Sequence, residues 1–149
     1  MIDCAYTISK HSNSSEWRQR AYNKKHIKIQ LRIIQKKKHS GGQDKERQAK
    51  VLKQAHQDYI ELCQHYLDKA KHTQESLPAP EGHSSTELLQ NIELATYMEH
   101  AIRQRKQIKQ RVIEGMPIAQ AEKVYSLFEL HTEWISKGKA GKPQELGVR

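Results

Sequence analysis

Leu52, Ala55, Tyr59, Leu62 and Tyr66, followed by Lys69-Ala70, recur at alternating steps of three and four. This heptad spacing is that of a long helix burying a narrow stripe against another helix. Running from near Gln43 to Leu77, such a helix would be about 50 Å long. Pro78-Ala-Pro-Glu-Gly-His-Ser-Ser85 then breaks the pattern as a linker. Ser85 or Thr86 is placed to cap a further helix. Its apolar positions are Ile92, Ala95, Met98, Ile102, Ile108 and Val112, with Arg105 interrupting the seam. It runs to Glu114 and stops at Gly115-Met-Pro117. Two long helices joined by a short linker fold back on each other, so residues 43–115 are expected to form an antiparallel helical hairpin.

Residues 1–40 form a basic helical segment. Ser14-Ser15-Glu16 reads as a helix start before Trp17, and no Pro or Gly follows until Gly41-Gly42. Ile27, Leu31 and Ile34 fall on one face, and Arg18, Lys25, Arg32 and Lys36 follow a neighbouring strip. From Lys10 to Ser40 there are ten Lys/Arg and one acid, Glu16. The whole chain carries +9, so this one segment holds its entire excess charge. A concentrated, nearly acid-free run points to a polyanion, most simply DNA. Phosphate contacts are assigned to Arg18, Arg20, Lys24, Lys25, Lys28, Arg32, Lys36, Lys37 and Lys38. Trp17 or Tyr22 could lie against the DNA backbone or a base. The competing reading is a solvated lysine-rich face.

Other chemistry finds little support. Hydrophobic residues make up 36% of the chain, with one Phe and two Trp, too little for a thick core but enough for helices packed along a seam. No run is long and apolar enough to span a membrane, and the N-terminus lacks the pattern of a signal peptide. The expected location is therefore cytoplasmic, with Cys4 and Cys63 as reduced thiols. The histidines and cysteines show no paired metal-ligand spacing, and no serine sits in a strand–turn–helix elbow. Asp3, Asp44, Asp58 and Asp68 belong to helical stretches, and Glu129 and Glu133 alone do not assemble a two-metal site.

After Pro117 the pattern changes. Val124, Leu127, Trp134 and Ile135 suit a strand, Ser136-Lys-Gly-Lys-Ala-Gly-Lys-Pro143 is a Gly-rich basic turn, and Glu145-Leu-Gly-Val-Arg149 opens another strand. Residues 118–149 are expected to begin a β-hairpin. The turn lacks a phosphate-loop spacing; its Lys137, Lys139 and Lys142 could still touch a phosphate backbone.

Trp17-Arg-Gln-Arg-Ala-Tyr-Asn23, the polar helical pair, and Glu122-Lys-Val-Tyr-Ser-Leu-Phe-Glu129 with His131-Thr-Glu-Trp-Ile-Ser-Lys-Gly-Lys-Ala-Gly141 together resemble one group of bacterial insertion-sequence transposases. These are the ISNCY-like enzymes of the acidic-triad (DDE) class. The resemblance covers essentially the whole chain, with a specific C-terminal motif and a weaker helical part; Leu130 stands where relatives are expected to have Pro. It implies an RNase H-like catalytic fold, DNA as partner, and Mg²⁺ in the complete enzyme for strand cleavage and transfer. It also implies that the catalytic acids lie upstream and downstream of this stretch. No acid here matches a triad position, so no catalytic residue, metal ligand or cofactor is assigned to the chain.

The expectation is thus a mainly α chain: a basic N-terminal helix, a long antiparallel helical hairpin, and the incomplete β-hairpin of a truncated RNase H-like domain. As a transposase fragment it would contact DNA without catalysing on its own, and the hairpin could mediate self-association or contact with full-length transposase. A stand-alone helical DNA-binding or transposition-regulating protein is the alternative. A structural coiled-coil adaptor is a third reading, which predicts no affinity for DNA.

Overall fold

The computed structural model describes residues 1–39, 44–77, 84–119 and 122, together with the backbone of Thr132–Ser136 and Gln144–Val148. It is mainly helical. Helix α1 spans Ile2–His11, α2 Arg20–His39, α3 Lys45–Glu75 and α4 Ser85–Ile108, the last continuing into a wide turn at Lys109–Ile113. The chain divides into two units, Met1–Met116 and Pro117–Arg149. No described helix is long and apolar enough to cross a membrane.

The helix ends follow from local chemistry. Asp44 caps α3 by accepting from the Arg47 amide at 2.9 Å. Ser84, one residue before the expected cap, starts α4 with a reciprocal box: its hydroxyl accepts from the Glu87 amide, and the Glu87 carboxylate accepts in turn from the Ser84 amide. At the other end, the Glu114 amide reaches back to the Lys109 carbonyl and the Met116 amide to the Gln110 carbonyl. Gly115 allows this closure with φ +71°, a conformation unfavourable for a residue with a Cβ. The closing bond spans one residue more than an ordinary helix-ending motif, because the preceding turn is wide.

The expected α3–α4 hairpin is present, but it is not a two-helix object. Helix α3 also packs against α2, and α1 touches all three other helices. Helices α2 and α3 run antiparallel: Asn23 of α2 meets Tyr66 of α3, while the turn leading into α2 lies beside Thr73. The core gathers at this end. Ile2, Ala5, Ile8, Trp17, Tyr66, Ala70 and Leu94 are buried together, with Cys4, Ile27, Leu62 and Met98 packed around them.

Three expectations are corrected. Helix α2 begins at Arg20, not at Trp17, which lies in a turn. Residues 2–11 form a separate helix that the charge pattern gives no reason to expect. The seam on α4 is displaced: Ile92 and Ile102 are exposed, and Leu94 is the buried residue. Half-buried Asn91, Met98, Ala101, Arg105, Ile108 and Val112 continue the inner row, so Arg105 belongs to the seam instead of interrupting it.

In the second unit, Thr132–Ser136 (β1) and Gln144–Val148 (β2) pair antiparallel, with Thr132 opposite Val148 and Ser136 opposite Gln144. A strand–turn–strand arrangement is expected here; the turn that would hold Lys137, Lys139 and Lys142 lies outside the described residues, as does the stretch around Val124 and Leu127.

Candidate nucleic-acid interface

The basic run folds into α2, and the helix sorts its cations into groups with different tasks. Lys25, Lys28, Arg32 and Lys36 recur at steps of three, four and four and are all exposed. They form an outward stripe about 16 Å long at 1.5 Å per residue. The opposite side of α2 carries buried Asn23 and half-buried Ile27, Gln30 and Ile34. Leu31, expected beside Ile27 and Ile34, is more exposed, at 41%. Arg20, Ala21, Lys24, Lys25, Lys28, Ile29 and Arg32 line a shallow concavity of about 370 Å³.

Arg20 and Lys24 are already engaged. Asp3 of α1 reaches Lys24 Nζ at 2.7 Å and Arg20 Nε at 3.6 Å. The Arg20 guanidinium also lies 4.4 Å from the centre of the Tyr6 ring. The hydrogen bond from Lys24, with the charges of Lys24 and Arg20, holds the Asp3 carboxyl below its ordinary pKa. The first turn of α2 contains no acid of its own, and the positive end of a helix favours a nearby anion. Asp3 supplies one from another element.

The remaining predicted residues scatter. Arg18 is exposed in the turn before α2, Lys38 is exposed in its last turn, and Lys37 is half-buried. Lys36, Lys37, Lys38 and His39 complement the negative end of the helix. Lys137, Lys139 and Lys142 lie outside the described residues.

Trp17 is not available to a base. It is fully buried, its ring NH donates to Thr73 Oγ1 at 2.7 Å, and its ring lies 6.3 Å from that of Tyr66. Lys69 Nζ covers its face at 4.5 Å. Tyr22, by contrast, is 61% exposed and stands 5.8 Å from the His26 ring, at the edge of the cationic surface.

Asp3 as an internal counter-ion is not foreseeable from the sequence. Its sole signal is an acid near the start of a short amphipathic stretch, and nothing local shows that Asp3 faces Lys24, 21 residues away. Among the described residues no group of three or more His, Cys, Asp or Glu side chains converges on a possible metal position. No protein-family model matches the chain, and no curated protein or solved structure shows significant similarity to it.

Proposed function

We propose that this chain is a DNA-contacting helical part of a DDE-class insertion-sequence transposase, gripping the phosphate backbone through α2. The observation that carries the reading is the stripe of Lys25, Lys28, Arg32 and Lys36, exposed on one side of a helix without a single acid. Such a stripe gives affinity without base sequence specificity, because its partners are phosphates. The transposase identity rests on the resemblance of the C-terminal motif and supplies the biological context. The β1–β2 hairpin is compatible with the edge of an RNase H-like sheet, although many folds contain a two-stranded hairpin. Mg²⁺ would belong to the complete enzyme, and no catalytic step is assigned to the residues of this chain.

The test is binding of the purified chain to duplex DNA across a salt series. Removing one phosphate-neutralising cation should lower the log–log salt slope by about 0.9. Replacing Lys25, Lys28, Arg32 and Lys36 by Gln should therefore flatten the slope by about three to four units. Absence of binding at low salt would reject the reading. Strand transfer by the chain alone, with Mg²⁺ or Mn²⁺ and transposon-end DNA, would show that it carries catalytic residues after all.

A stand-alone DNA-binding or transposition-regulating protein remains the second reading. The first unit favours it, because Met1–Met116 packs its four helices around a core of its own. Reading frames beside this one that encode the missing strands and acids would favour the transposase; their absence would favour the regulator.

A further inference from the structure

Three helices of the first unit leave a pocket of about 130 Å³ between them. Ile27 of α2, Tyr59, Cys63 and Tyr66 of α3, and Ala101 and Ile108 of α4 line it, and its wall is mostly apolar. It is separate from the shallow cationic concavity beside Lys25 and Lys28. An apolar cavity of about 150 Å³ holds one benzene ring, so this pocket has room for a ligand of about that size.

Arg105, the residue that breaks the apolar spacing of α4, also lines this pocket, and no carboxylate does. Arg105 is half-buried, and among the described residues its guanidinium makes no ion pair or hydrogen bond. The groups that could turn anionic do not balance it. Burial pushes up the pKa of Cys63, Tyr59 and Tyr66, and for Cys63 this outweighs the lowering by the Arg105 charge. All three are therefore neutral at about pH 7. A cation drawn partly out of water beside an apolar wall is stabilised by an anion. The planar guanidinium fork matches a carboxylate through two parallel hydrogen bonds. A phosphate, strongly hydrated and without an apolar body, would leave the wall without a partner.

We propose that this pocket binds a small, ring-sized monocarboxylate, with the apolar body among Ile27, Tyr59, Ala101 and Ile108 and the carboxylate on Arg105. The site stands on this pocket alone and holds whether or not α2 grips DNA. Its walls belong to three different helices, so an occupied pocket ties α2 to the α3–α4 hairpin. Ligand should accordingly raise the thermal unfolding midpoint in a concentration-dependent way.

Calorimetric titration of the purified chain with benzoate tests the binding, and the isoleucine methyl resonances locate it. A dissociation constant below about 1 mM is expected. Shifts should appear at Ile27 and Ile108 and not at Ile29, which borders the cationic concavity on α2. Benzamide, similar in size but neutral, should bind at least about tenfold more weakly than benzoate. Arg105→Gln should weaken benzoate by the same factor, and Ala101→Leu, which fills the pocket, should abolish its binding. Helical circular dichroism and the urea midpoint check that both variants fold; the benzamide comparison needs no variant. No binding up to about 10 mM would overturn the proposal and leave Arg105 a solvated side chain whose stem covers apolar surface. So would benzamide or inorganic phosphate binding as tightly as benzoate, an unchanged affinity in either folded variant, or shifts centred on Ile29.

Discussion

Trp17 and Asp3 show how far a side chain's role depends on what lies opposite it. Trp17 sits among basic residues, where an aromatic suggests stacking on a base, yet it is the anchor that fixes the start of α2 to Thr73 and Tyr66. Trp17→Ala should cost about 3–5 kcal/mol in urea unfolding, as expected for a large buried aromatic. Trp17→Phe keeps most of the packing and loses only the bond to Thr73, and it should leave DNA affinity unchanged. A loss of DNA affinity in folded Trp17→Phe would contradict the structural assignment. Asp3 acts in the opposite sense, since its carboxylate already pairs with Arg20 and Lys24 and would compete with a phosphate for them in the proposed DNA complex. Asp3→Asn should strengthen DNA binding at low salt and steepen the salt slope by about one to two units. Because folding lowers its pKa, its contribution to stability is present above the ordinary value of 3.8 and lost as pH falls. Cys4 titrates the other way: burial first, then the nearby Glu93 charge, pushes the thiol up from 9.0 to about 11. Its stabilising share is complete below the ordinary value of 9.0 and disappears as pH rises through about 11. Alkylation of Cys4 in the native chain should be slow at about pH 8 and accelerate steeply across that window. Fast alkylation of the native chain at that pH would show that the thiol is not held as described.

At the level of elements, the helices are legible wherever their signals are local. Asp44 and Ser84 stop the unravelling of α3 and α4 by capping their first amides, and Ser84→Ala should cost about 1 kcal/mol, measurable as a lowered urea midpoint. The three–four spacing of α3 identifies one buried seam correctly through Ala55, Tyr59, Tyr66 and Ala70. It does not show the second, made by Ile60 and Leu67 one residue further on. On α4 the same limitation produces an error. With apolar residues on two rows, no periodicity can tell which one faces the partner, and Ile92 and Ile102, expected to face inward, are exposed. Helix α1 escapes notice because ten residues carry too little pattern to be distinguished from a loop.

Across the whole first unit, α3 is the central element, since it packs against α1, α2 and α4. A simple hairpin would need only one buried face on it. Leu67 is 4% exposed, and Leu67→Ala should therefore cost about 2–5 kcal/mol in urea unfolding. The sequence by itself determined the existence, type and approximate limits of the long helices, their reversal at the proline-containing linker, and the concentration of positive charge on α2. Those properties depend on residues within a few turns of one another. Tertiary structure alone decided that α1 closes the core, that Trp17 is buried, that Asp3 neutralises Arg20 and Lys24, and which row of α4 is covered. Each of these depends on residues far apart in the chain meeting in space, and packing, not local spacing, chooses between faces of equal apolar character.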